Sequence, residues 1–192
     1  MTAEKARFVA LFDCSPADPP PWVKATCQQA GLFFVDNDEI ATAISKSAEA
    51  QKAILENGQG FRENEAMAPH YSAALDKVVQ SHDRLGVYSV SWFLYGVHPT
   101  VAVLDFQPLE DEVKKARSGP KKYSEEYLQE YLKTCRSKLT DRAHENVGQE
   151  RTLIVPLGLM DSKKAALAAE HIQKYLTTPL DPNLKFKAGL RG

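Results

Sequence analysis

Val101-Ala102-Val103-Leu104 is apolar at every position, closed by Pro99-Thr100 on one side and Asp105 on the other. Such a run offers no face to water, so a strand made of it lies inside a sheet rather than at its surface. Before it, Val87 to Tyr95 alternates, with Tyr88, Val90, Trp92 and Leu94 set against Ser89 and Ser91. The connector Gly96-Val97-His98-Pro99-Thr100 is short, and two strands joined by a short connector pair antiparallel. The sequence therefore predicts a hairpin over 87–107 at the centre of the fold.

The other elements are arranged around it. Arg7 to Asp13 reads as a buried strand followed by the turn-rich Cys14 to Pro21, and Trp22 to Ala30 as a helix stopped by Gly31. Leu32 to Val35 is a second short strand. A helix begins at Asp36 or Asn37 and runs to Asn57-Gly58, and another opens at Pro69 and ends at Gly86. Leu109 to Arg117 reads as a short helix and Tyr123 to Leu139 as a long one, with Tyr127, Leu128, Tyr131, Leu132, Cys135 and Leu139 in one stripe. Arg151 to Val155 is a strand, and Asp161 or Ser162 caps a last helix to Thr177. This order predicts an α+β fold: a mixed, largely antiparallel sheet of about four to five strands, covered by about six helices. Residues 1–178 are expected to form one globular domain and 179–192 an irregular C-terminal tail.

A chain of 192 residues, 43% hydrophobic and 26% charged, can bury a full core without staples. Its formal charge of -1 removes the global electrostatic case for a nucleic-acid partner. Apolar stretches fall short of the roughly 20 residues of a membrane span, and no secretory leader is readable, so a cytoplasmic protein is expected. The 3 cysteines, Cys14, Cys27 and Cys135, are scattered and form no metal-binding spacing, so neither a disulfide framework nor structural zinc is expected.

Candidate chemistry is sparse. The loop after the first strand carries Asp13, Cys14, Ser15 and Asp18 in a place where mixed folds keep reactive groups, with Cys14 a nucleophile if a histidine lies beside it. It lacks the glycines that let a backbone approach phosphate in a Walker A or dinucleotide loop. Asp36, Asp38 and Glu39 crowd three carboxylates, but acids at a helix start answer the helix dipole and need no metal. His82, His144 and His171 stand apart, with no ligand-type repeat. Lys114, Lys115, Arg117, Lys121 and Lys122 form the one local polyanion-binding signal, over 114–122, with acids at 110–112 before it.

His70-Tyr71-Ser72 and His98-Pro99-Thr100 form paired His-x-Ser/Thr triplets. The pattern resembles the signature of the two-histidine phosphoesterases, and the opening strand Arg7 to Asp13 is loosely similar to how members of that family begin. The resemblance implies one imidazole as base, the other as acid, and hydroxyls that hold a phosphate. It covers only these stretches; His70 falls in a helical pattern, and the triplets are closer together than the family's duplicated layout.

No complete catalytic set assembles from these residues. The sequence reading is a binding or regulatory domain that works through a protein surface, with a protein partner or a second copy and no cofactor or metal. Its alternative is a small hydrolase or phosphoesterase using His70 and His98, or Cys14 and Ser15.

Overall fold

The computed structural model describes residues 7–13, 18–57, 68–80, 82–88, 99–121 and 123–177. Five strands form one sheet: β1 (Phe8–Asp13), β2 (Phe33–Asp36), β3 (Arg84–Tyr88), β4 (Val101–Leu104) and β5 (Thr152–Ile154). Their order is β2-β3-β1-β4-β5 and every pairing is parallel. The helices among the described residues are α1 (Pro21–Ala30), α2 (Asn37–Ser45), α3 (Ala48–Asn57), α4 (Ala68–Val79), α5 (Gln107–Ser118), α6 (Glu125–Val147) and α7 (Asp161–Tyr175).

The expected antiparallel sheet and its 87–107 hairpin are corrected by this order. β3 and β4 are not neighbours: both pair with β1, on opposite sides, with Leu11 level with Val87 and with Ala102. β3 also lies earlier than expected, ending at Tyr88, and most of the alternating stretch lies outside the described residues. From Tyr88 to Val101 the chain has about the dozen residues that a parallel crossover requires. The fold class is α/β rather than α+β, and the reason was present in the strands themselves. β1 and β4 are apolar on both faces, as strands are when helices cover a parallel sheet above and below.

The two layers are unequal. α1 and α7 pack on one face through Trp22, Val23, Cys27, Ala165, Ala168 and Ile172, against Ala10, Phe12, Tyr88, Val101 and Val103. α2 to α6 cover the other face, where Ile40, Ile44, Tyr71, Leu75, Leu128 and Leu132 meet Val9, Leu11, Val35, Val87 and Leu104. Gly86, expected to end a helix, lies inside β3. A Cβ there would come within 2.3 Å of Cys27 Sγ, so a bare backbone is what lets α1 settle on the sheet.

Helix boundaries follow local chemistry. Gly31 ends α1 in the left-handed region, at φ 68°. The single helix expected from Asp36 to Asn57 is two, because Ser47 Oγ accepts the Ala50 N–H at 3.3 Å and starts α3 afresh. Ser124 Oγ accepts the Tyr127 N–H at 3.1 Å to start α6, which continues about two turns past the expected Leu139 to Val147. Asp161 is the first residue of α7 rather than its side-chain cap. Among the described residues no helix is long and apolar enough to cross a membrane. The expected tail 179–192 lies outside them.

Candidate functional site

The strand order creates one natural crevice. From β1 the chain leaves through α1 toward β2, on one side of the sheet, and from β4 it leaves through α5 and α6 toward β5, on the other. Beyond the carboxyl ends of β1 and β4, where neighbouring connections diverge, parallel sheets leave room for a ligand.

Each of those strands delivers an aspartate to the crevice. Asp13 is the last residue of β1, and Asp105 follows β4 directly. The Asp105 N–H donates to the Asp13 carbonyl at 3.0 Å, which carries the ladder one step further and holds both residues at one level. Both are buried. Asp105 is engaged on both oxygens: Lys164 Nζ donates to Oδ2 at 2.6 Å, and the Gln107 N–H donates to Oδ1 at 2.9 Å, starting α5. Gln107 extends the brace, accepting the Gly158 N–H at 2.8 Å and donating to Asp111 at 2.9 Å. Lys164, in the first turn of α7, is itself buried, 5.9 Å from the Trp22 ring. Asp105 is thus a joint that ties β4, α5 and α7 together.

Asp13 and Asp105 form one wall of a cleft of about 250 Å³, with Phe106 and Leu109 beside them. α6 supplies the facing wall through Tyr131, Cys135, Lys138 and Arg142. Among the described residues no carboxylate lies within ion-pair distance of Lys138 or Arg142. Arg136, two residues before Lys138, behaves differently: it pairs with Glu110 and lies 5.7 Å over the Phe106 ring, locking α6 to α5. Burial, Cys135 and Glu112 together raise the Tyr131 phenol above its ordinary value.

Of the residues singled out in sequence, His70 lies in the first turn of α4, on the carboxyl edge of the sheet. The neighbouring Tyr71 hydroxyl marks that position by donating to Asn37, just past β2, at 2.8 Å. His70 is not among the residues lining the cleft, and Cys14, Ser15 and His98 lie outside the described residues. The basic stretch is divided. Lys114 pairs with Asp111 at 3.2 Å, Arg117 Nε donates to Glu125 at 2.9 Å, and Lys121 lies 5.1 Å over the Tyr123 ring. Lys115 is exposed and Lys122 lies outside the described residues. Contact with Gln107 and Lys114 lowers the Asp111 pKa, and contact with Arg117 lowers that of Glu125. Asp36 caps α2 by accepting the Asp38 N–H at 3.1 Å, and no group of three metal-type side chains occurs among the described residues.

Sequence reasoning passed over Asp105, Lys138, Arg142 and Lys164. One signal pointed there: both central apolar runs end in aspartate.

No protein-family model and no curated protein matches the chain. Among solved structures it is similar to a gluconokinase from Sinorhizobium meliloti 1021, at 12% identity and a TM-score of 0.45, over 90% of this chain and 94% of that one. The expected regulatory domain acting through a protein surface is corrected at this point. The polar groups converge instead on the crevice of a parallel sheet, the usual place of an enzyme's site in such folds.

Proposed function

We propose that the protein is an enzyme acting on a small phosphate-bearing molecule bound in the cleft between β1, β4 and α6. The observation that carries this reading is opposite charge across one crevice: Asp13 on the strand side, Lys138 and Arg142 on the helix side. Lys138 and Arg142 stand four residues apart and so share a face of α6. A guanidinium and an ammonium together match a phosphate, the first through paired N–H donors and the second as a point charge.

The chemistry that fits is phosphoryl transfer from a phosphate ester or anhydride to a hydroxyl. As the new O–P bond forms and the donor's P–O bond breaks, the hydroxyl proton passes to the Asp13 carboxylate, and Lys138 and Arg142 balance the charge on the phosphoryl oxygens. The cleft is walled by Phe106 and Leu109, and charge placed in such surroundings acts more strongly than in water. The loop after β1 has no glycine, and Pro16, Pro19, Pro20 and Pro21 have no N–H to give, so side chains from α6 take the part that a backbone cradle plays elsewhere.

The test is a titration of the labelled protein with ribose 5-phosphate, followed by amide chemical shifts. Saturable shifts in residues 131–142 and beside Asp13 are expected, lost in K138A/R142A and retained in D13N. Absence of saturable binding, or binding unchanged in K138A/R142A, would overturn the reading.

A further inference from the structure

Tyr131 faces more than one cavity. The same residue lines a second cavity of about 240 Å³ between α5 and α6, walled by Val113, Ala116 and Leu128, by Tyr123 and Tyr127, and by Glu112. Pockets that hold small molecules start at about 300 Å³. Neither cavity reaches that size alone, and Tyr131 is common to the lining of both.

The second cavity differs in chemistry from the first. Tyr123, just before the Ser124 cap, and Tyr127 and Tyr131 on α6 recur every fourth residue and stack nearly parallel, with centroids 5.4 and 6.5 Å apart and planes within 15°. These rings are not core residues: Tyr127 is 55% exposed and Tyr131 39%, while Leu128 and Leu132 on the same helix are buried. One face of α6 therefore presents an aromatic half, Tyr127 and Tyr131, extended by Tyr123 before the cap, followed by a cationic half, Lys138 and Arg142, with Cys135 between them. Aromatic side chains next to cations are the combination that binds a planar ring carrying a phosphate, the ring by stacking and the phosphate by charge.

We infer that the groove between α5 and α6 is a subsite for an aromatic ring, so that the molecule bound in the β1–β4 cleft is a ring-bearing phosphate whose ring stacks at Tyr127 and Tyr131. This inference rests on the phosphate reading of the cleft. Nucleoside phosphates and simple aryl phosphates share the chemistry and are separated by experiment.

Affinities of AMP, phenyl phosphate, ribose 5-phosphate and adenosine are measured by calorimetry on the full chain and on Y127A, Y131A and K138A/R142A. AMP is expected to bind about tenfold or more tighter than ribose 5-phosphate, the size of one stacked ring. Y127A should narrow that ratio and leave ribose 5-phosphate unchanged, Y131A should narrow it as well, and K138A/R142A should weaken all three phosphates. Phenyl phosphate matching AMP assigns the subsite to aryl phosphates in general; AMP alone gaining assigns it to nucleosides. Equal affinity of AMP, phenyl phosphate and ribose 5-phosphate overturns the ring subsite and leaves the phosphate cleft standing. If no phosphate binds, the cleft reading fails; adenosine binding lost in Y131A then still supports the subsite, and its absence overturns that too.

Discussion

Lys164 donates a 2.6 Å hydrogen bond to Asp105, and the two side chains are only 6% and 1% exposed. The lysine stands in the first turn of α7, where the helix dipole disfavours a cation, so the aspartate is what keeps it there. Breaking such a pair strands the remaining charge out of water at a cost of about 3–5 kcal/mol. K164M is expected to lower Tm by roughly 6–20 °C for a chain of this size. The double variant D105N/K164M should recover much of the loss, because no charge is then left unmatched and the new side-chain amide oxygen still accepts the Gln107 N–H. A double variant as unstable as the sum of the singles would remove the pair from its role as the joint of β4, α5 and α7.

Gly86 and Cys27 make a second coupled pair. G86A would drive a Cβ to within 2.3 Å of Cys27 Sγ, and overpacking of this kind costs about 1–3 kcal/mol. C27A removes the sulfur that the new methyl would meet. In a urea-unfolding cycle, G86A/C27A is expected to be more stable than the sum of the single variants by more than the ~0.5 kcal/mol scatter of independent sites. Additive values would mean that α1 does not pack on β3 as described.

Burial pushes the Cys27 thiol up to about 12, whereas Cys135 is half-buried in the cleft wall. The thiolate is the reacting species, so Cys27 is almost wholly unreactive at pH 8. Iodoacetamide at that pH is expected to modify the peptide carrying Cys135 and spare that carrying Cys27 until the protein is unfolded. Fast modification of Cys27 in the native protein would contradict the packing of α1.

His171 gives the chain a pH dependence of stability. Burial lowers its pKa below the ordinary 6.5, opposed by a hydrogen bond with the Arg151 backbone and reinforced by Lys174. Above pH 6.5 folded and unfolded chains both hold a neutral ring, and the full stability is present. As pH falls through 6.5 the unfolded chain takes up the proton first, so stability declines until the folded pKa is reached. The Tm of the native protein should therefore fall more steeply than that of H171Q as pH drops below 6.5. Parallel curves would exclude His171 as the source.

Much of this architecture was readable from the chain, and the failure was one of pairing. Phe8–Asp13, Phe33–Asp36, Val101–Leu104 and Thr152–Ile154 all coincide with apolar runs that periodicity identifies. What periodicity cannot supply is which strand lies beside which. Treating Tyr88 and Val101 as the two sides of a hairpin assumed that consecutive strands are neighbours, and β1 lies between them. Gly86 was misread for a related reason: a glycine that ends a helix and a glycine that admits a neighbouring helix look the same in one dimension. The site was less legible than the fold. Asp13 and Asp105 are 92 positions apart in sequence, and Lys138 and Arg142 look like ordinary polar positions of an amphipathic helix until the sheet order brings all four to one crevice.

The claim that a phosphate-bearing molecule occupies this crevice is tested most directly by the rate at which Cys135 is alkylated, since its thiol lies on the cleft wall near Lys138 and Arg142. Ribose 5-phosphate is expected to slow that reaction in a saturable way, relative to sodium chloride of equal ionic strength, and to lose the effect in K138A/R142A. An alkylation rate that does not change with ribose 5-phosphate, or protection that persists in K138A/R142A, would contradict the account.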